Sequence, residues 1–216
     1  MKVAVIGATG EMGLGLAMRL SMAGHEVIIG SRDAARAQEA ADRAAAEHNC
    51  TGLCGAANED AAAWAEVVVI SVPAAGHKAT VEGLKDILVT KPIIDITIPM
   101  AFKPLRYAPP AEGSNALEAR AVLGEDCRLA AGFHTVSAKL LVKTEQPLGG
   151  STFIVGNDDD TIRIAMELAS SIGLQPVNAG GLQFAHTVES LTPMLLGINK
   201  RYGSNCAGIV VTNIGL

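Results

Sequence analysis

The chain has 216 residues, enough for a full α/β core as one domain or as a large domain with a small appendage. Apolar residues make up 49% but aromatics only 3%, so the core must be built from Ala, Val, Ile and Leu, and the net charge of -5 argues against a general nucleic-acid binder, which needs a basic face. No apolar run approaches the ~20 residues of a membrane span, and Gly7 interrupts the N-terminus too early for a secretory leader, so a soluble, cytoplasmic protein without membrane partners is expected.

The first strand, Met1 to Ile6, runs into Gly7-Ala8-Thr9-Gly10-Glu11-Met12-Gly13, which opens a helix through Leu16, Ala17, Leu20 and Ala23; a second strand follows from His25 to Gly30. This succession is the start of a dinucleotide-binding fold. Gly7 makes the tight turn, Gly10 lets backbone approach a pyrophosphate, and Gly13 lets the helix pack closely on the strand. The helix N-terminus offers free N–H groups and partial positive charge to the phosphates. The spacing is G-x-x-G-x-x-G rather than the commoner G-x-G-x-x-G, so it is the placement after the first strand that carries the assignment.

The end of the second strand selects the dinucleotide. An NAD site usually has Asp or Glu there for the ribose 2′-hydroxyl. This chain has Ser31 and Arg32, with Arg36 one turn further, and a hydroxyl with two cations suits a 2′-phosphate; NADP(H) is the expected cofactor. Asp33 dissents as a carboxylate, unless it serves the start of the helix near Ala34.

A βα rhythm continues. The spacing predicts an Ala-rich helix over Ala34 to His48, a strand over Thr51 to Ala56, a capped helix start at Asn58-Glu59-Asp60-Ala61, and a β-branched strand over Glu66 to Pro73. A helix from Gly76 to Leu88 and a strand from Pro92 to Ile96 follow. Pro99 to Gly113 carries four prolines and is expected as a long loop over the ligand face. Helix and strand resume between Asn115 and Ala131. Beyond Gly149-Gly150 come a strand from Thr152 to Gly156, an acidic helix start at Asp158-Asp159-Asp160, a strand over Gln175 to Asn178, an apolar helix over Leu182 to Asn199, and a last strand over Ala207 to Ile214. That helix is apolar over more than one face, which predicts deep burial or a homodimer through the C-terminal region. Cys50, Cys54, Cys127 and Cys206 lack C-x-x-C spacing and are expected as unmodified thiols, with a Cys50–Cys54 pair the alternative, and the five histidines are scattered; no metal site is expected.

The stretches Val3 to Gly15, Gly24-His25-Glu26, Gly30-Ser31-Arg32, Asn58 to Ala61, Phe133-His134-Thr135, Gly156 to Asp160 and Val188-Glu189-Ser190-Leu191-Thr192-Pro193 together resemble the NADPH-dependent reductases of coenzyme F420 over nearly the whole chain. The glycine loop is generic; the Phe-His-Thr and Val-Glu-Ser-Leu-Thr-Pro stretches are specific. The resemblance implies a doubly wound parallel Rossmann sheet over 1–145 and a small C-terminal α/β domain over 146–216, with the active site in the crevice between them. By the same resemblance Thr9, Gly10, Glu11 and Met12 would wrap the pyrophosphate, and Ser31, Arg32 and Arg36 would hold the 2′-phosphate. Val72, Pro73, Ala74, Ile98, Pro99 and Ala138 would line the nicotinamide side. The family carries Lys where Arg36 stands, and often a bulkier residue near Ala74. The Pro99 to Gly113 stretch matches poorly.

The implied reaction is reversible hydride transfer between nicotinamide C4 and C5 of the deazaflavin. Both partners bring their own redox chemistry, so the protein must stack them about 3–3.5 Å apart and exclude water, and no obligatory catalytic side chain is expected. His134, just past a strand end, and Ser137 are the candidates to orient the ring; a histidine bonded to a neighbouring carbonyl is the plainer reading. Glu189 is expected to partner buried backbone or an Arg, while Lys139, Lys143, Lys200 and Arg201 either guide the anionic deazaflavin tail or are ordinary solvated charges. Two other functions fit the same residues. An imine or ketone reductase of the pyrroline-carboxylate type would need His134 as proton donor, and a non-catalytic NADPH-binding module would bind without oxidising its ligand.

Overall fold

The computed structural model describes residues 1–214. The chain builds β1 (Lys2–Ile6), α1 (Glu11–Met22), β2 (Glu26–Ser31), α2 (Ala34–His48), β3 (Leu53–Ala57), α3 (Asn58–Trp64) and β4 (Val67–Ile70). A 3₁₀ turn (Ala74–Gly76) leads into α4 (His77–Gly83), then α5 (Lys85–Leu88) and β5 (Ile93–Asp95). A two-stranded hairpin follows, β6 (Met100–Phe102) with β7 (Leu105–Tyr107), then α6 (Asn115–Leu123), β8 (Leu129–Ala131) and α7 (Ala138–Leu141). The last part holds β9 (Ser151–Gly156), α8 (Asp159–Ser171), β10 (Gln175–Gly181), a 3₁₀ turn (Leu182–Phe184) and α9 (Ala185–Tyr202).

Eight strands form one sheet in the order β10-β9-β8-β5-β4-β1-β2-β3. From β3 to β8 every pairing is parallel, and the chain reverses its direction of travel across the sheet between β1 and β4. That reversal opens a crevice at the strand ends, where doubly wound sheets place ligands. The parallel strands are continuous apolar runs because helices cover both faces: Val67 to Ile70 and Ile93 to Asp95 are buried throughout. One face packs on α1, α2 and α8 through Leu16, Leu20, Ala37, Ala41 and Leu168; the other packs on α3, α4, α6 and α9 through Ala61, Val81, Ala116 and Val188.

Several expected elements differ. Residues 146 onward do not begin a separate sheet: β9 pairs antiparallel with β8 (Ala131 opposite Val155) and β10 pairs with β9. The expected helix from Gly76 to Leu88 is two helices, interrupted at Leu84. The Pro99–Gly113 loop contains the β6–β7 hairpin, whose register pairs Met100 with Tyr107; neither short strand has the alternation that would betray it. The expected strand over Ala207–Ile214 is irregular backbone. It is held on the β9 start by two hydrogen bonds, Ser151 N–H to the Ile209 carbonyl at 2.7 Å and Val211 N–H to Ser151 Oγ at 2.8 Å. Two bonds anchor it without making a ladder. Asn58 does not cap α3; it is the first helical residue and Ala57 occupies the cap. Cys50 is buried, Cys54 exposed, and both are free thiols.

Candidate active site

The glycine loop after β1 has the geometry its glycines require. Gly7 has φ +76°, and a Cβ there would lie 2.4 Å from Val72 Cγ1, so the turn and its contact with the β4 end both need glycine. A Cβ on Gly13 would come within 2.7 Å of Ala8 Cα and Ser71 Oγ, so α1 seats directly against the β1 turn. Around Gly10 the space is open, and no side chain caps α1, so its first-turn N–H groups are free for an acceptor.

A cavity of about 530 Å³ lies over this loop. It brings together seven of the residues singled out from the sequence: Gly7, Thr9, Ser31, Arg32, Arg36, Val72 and Pro73. Gly10, Glu11, Met12 and Gly13 stand beside it at the α1 start. Ala74, Ile98, Pro99, Ala138, His134 and Ser137 are not on its wall. Asp33, Asn58, Ala75, Gly76, Ala79 and Thr80 complete the lining, and apart from Asp33 they were not foreseen there. A larger hollow of about 850 Å³ lies between α8 and β10, but its lining shares no residue with the glycine loop or the β1, β2 and β4 ends. The smaller cavity is the cofactor candidate because it carries the donors a dinucleotide needs.

The residues present fit an NADP-sized anion. Arg32 and Arg36 face the cavity, and neither forms an ion pair among the described residues. Asp33 is the N-cap of α2, its Oδ1 accepting the Ala35 N–H at 2.9 Å, so the dissenting carboxylate is engaged by its own helix. Ser31 is buried and its Oγ accepts the Asp33 N–H at 3.2 Å. The buried Oδ1 of Asn58 has no partner, an orphan acceptor in the cavity wall beside Arg32.

Just past the β8 end, Phe133 adopts φ +64°, rare for a bulky residue, and its N–H donates to Thr152 Oγ1 at 2.9 Å. This bend follows the β8 end and turns His134 into the interior. His134 is 3% exposed, and among the described residues neither ring nitrogen makes a hydrogen bond of good geometry, although the ring lies against the Thr97 backbone. Burial pushes its pKa down to about 4, against an opposing pull from Asp95, so the ring is neutral at physiological pH. Its carbonyl accepts from Thr192 Oγ1 on α9 at 2.5 Å. Ser137 donates to the Asn205 carbonyl at 2.9 Å, tying α7 to the C-terminal segment.

Beneath these loops lies a buried polar network. His77 Nε2 is 2.7 Å from Asp95 Oδ2, and His77 Nδ1 is 2.7 Å from Glu118 Oε2. Asp95 Oδ1 accepts the Thr97 N–H at 2.9 Å and its hydroxyl at 2.6 Å. Glu189, wholly buried, accepts the Asn115 and Ala116 N–H groups at 3.0 and 3.1 Å and lies 3.1 Å from the Tyr107 hydroxyl. Its expected role as a partner of buried backbone is what the structure contains. Burial, with Asp95 nearby, raises its pKa to about 7. His77 was passed over as one of five scattered histidines, although a carboxylate inside the apolar run Ile93-Ile94-Asp95-Ile96 was a visible sign that a buried cation was needed. Among the described residues no cluster of side chains could hold a metal ion, and no helix is long and apolar enough to cross a membrane.

A family model described as NADP oxidoreductase coenzyme F420-dependent matches residues 2–99. An F420-dependent NADP reductase from Methanothermobacter thermautotrophicus is 40% identical, over 99% of this chain and 96% of its own. The chain belongs to the F420-dependent NADP reductase family. A reductase of the same name from Methanocaldococcus jannaschii is 34% identical over 99% of both chains. Among solved structures, an Arthrobacter protein provisionally classed as an F420-dependent NADP reductase superposes with a TM-score of 0.81 at 26% identity, covering 99% of this chain and all of the other. As an oxidoreductase of this family the chain carries the Rossmann-type sheet that its first strand and glycine loop announce.

Proposed function

We propose that this protein transfers a hydride reversibly between NADPH and the deazaflavin coenzyme F420. The observation that carries the reading is the conjunction of an end-to-end likeness to F420-dependent NADP reductases with a cavity lined by Ser31, Arg32 and Arg36. The hydride leaves nicotinamide C4 for deazaflavin C5, and one solvent proton completes the reduced deazaflavin. The chain's own residues bind, orient and keep water out.

In this reading Gly7, Gly10 and the N–H groups of Glu11, Met12 and Gly13 hold the pyrophosphate, with Thr9 beside them. Ser31, Arg32 and Arg36 hold the 2′-phosphate, and Val72, Pro73, Ala74, Ile98, Pro99 and Ala138 border the nicotinamide. His134, buried against Asp95 and the Thr97 backbone, orients the deazaflavin indirectly by backing the segment that leads into Ile98 and Pro99; Ser137 contributes by holding the Asn205 segment. Residues 146–216 act as the part that completes the crevice, although they share the sheet. A neutral His134 is a poor general acid, which favours hydride transfer between two cofactors over the imine-reductase reading. The protein works as a cytoplasmic homodimer.

Single-turnover mixing of the protein with oxidised F420 and NADPH deuterated at C4 tests this directly. Loss of deazaflavin absorbance with deuterium retained at C5 is the expected result. No reaction with F420 would refute the function, and complete washout of the label into water would refute direct transfer.

A further inference from the structure

We propose that His77 and Asp95 are a positioning pair for the nicotinamide half of the cofactor, fixing the loop after β4 against the loop after β5. The inference rests on the reading that NADP(H) occupies the cavity over the glycine loop. His77 is the first residue of α4, directly after the turn whose Ala75 and Gly76 line that cavity. Its ring is fully buried and bonds to the last residue of β5 at 2.7 Å. Asp95 uses its other oxygen to hold both the N–H and the hydroxyl of Thr97, and the Asn115 side chain secures that hydroxyl at 2.8 Å. Thr97 leads straight into Ile98 and Pro99. One hydrogen-bonded unit therefore joins the two segments assigned to the nicotinamide, Val72–Ala74 and Ile98–Pro99.

Both ring nitrogens of His77 face carboxylates, Asp95 from β5 and Glu118 from α6, so both must donate and the ring is an imidazolium. Glu189 from α9 and His134 after β8 act on the same cluster through Asp95. Burial opposes the charge on His77, but the two carboxylates outweigh it and raise its pKa to about 9. A buried ion pair of this kind adds little net stability over apolar packing, and the surrounding strands are apolar enough to accept a hydrophobic pair instead. What it supplies is a fixed geometry between two loops.

The test compares two ligands that share the adenosine end: NADP⁺ and adenosine 2′,5′-bisphosphate, which lacks the nicotinamide. In His77→Gln and Asp95→Asn, NADP⁺ should bind about ten-fold more weakly while the bisphosphate changes by less than about two-fold. In the wild type the raised pKa means the imidazolium is complete at neutral pH and is lost as pH rises through about 9. NADP⁺ affinity should fall over that window while bisphosphate affinity does not, and His77→Gln should remove the difference. The wild-type titration needs no variant, so a variant that fails to fold leaves the proposal testable. Equal weakening of both ligands, or no weakening of either, would overturn the pair's role. Arg32→Ala in the same assay must weaken both ligands; if it weakens neither, the site reading falls and the pair's role with it.

Discussion

At the scale of single residues, the proposed hold on the 2′-phosphate rests on the charge pattern at the β2 end. Arg32 and Arg36 line the cavity free of carboxylate ion pairs among the described residues, and Asp33, on the same wall, accepts the Ala35 N–H of α2. Arg32→Ala should weaken NADPH by about 1.5–3 kcal/mol, roughly ten- to a hundred-fold, because a charge-assisted bond is lost. NADH, which has no 2′-phosphate, should be almost unaffected; an equal loss for both in a binding titration would reject the assignment. His134 sits at a different kind of position. It is buried beside Asp95 and the Thr97 backbone, and the left-handed Phe133 before it holds it there. Because its pKa is near 4, activity should show no ionisation of this residue between pH 6 and 8, and His134→Ala should slow hydride transfer less than the about 10²-fold that loss of a general acid begins at. A pH–rate profile of the variant and wild type checks both statements.

At the scale of elements, two side chains tie distant segments together. Arg19 on α1 donates Nε–H to the Leu141 carbonyl and Nη2–H groups towards the carbonyls of Leu140, Lys143 and Gln146, at 2.7–2.9 Å. One guanidinium thus satisfies the end of α7 and the turn after it, and fastens Ala138 and its helix to α1. Arg19→Met leaves buried carbonyls without donors and should cost about 3 kcal/mol, lowering Tm by roughly 6–12 °C in a chain of this size. A shift below about 2 °C in thermal unfolding would show that water replaces the clamp. Glu189 fastens the start of α6 to α9 and, through Tyr107, to the β6–β7 hairpin. Its raised pKa makes its contribution complete below the ordinary value of 4.5 and lost as pH rises through about 7. Glu189→Gln should therefore flatten the decline of Tm across that interval, read by thermal unfolding at a series of pH values.

At the scale of the whole molecule, the β1–α1–β2 start of the sheet was legible because short-range chemistry dictates it. Gly7, Gly10 and Gly13 act within one turn, and Ser31-Arg32 follows a strand whose apolar run is unmistakable. The elements past Gly149 were found as strands and helices, but their addition to the same sheet was not, since an antiparallel β8–β9 pairing leaves no local mark in Leu129-Ala130-Ala131. The His77–Asp95–Glu118 cluster was missed for a similar reason: its members are far apart in sequence and meet only through the fold. What the α9 pattern did convey was excess apolar surface. Val188 and Leu195 face the core, yet Met194 is 50% exposed and Tyr202 80% exposed on the same helix, and Phe184 before it and Val210 after it are exposed as well. A run of large apolar side chains on one terminal region is more than a monomer usually leaves to water, and a second copy related by a two-fold axis is the simplest cover. The homodimer proposed above should therefore bury Met194. Light scattering at micromolar concentration should give twice the chain's 22.2 kDa, and Met194→Lys should shift the population toward the monomer while leaving NADPH binding at the distant β1–β2 end intact. A wild-type monomer at that concentration would refute the dimer; a variant that stays dimeric would move the interface away from this helix.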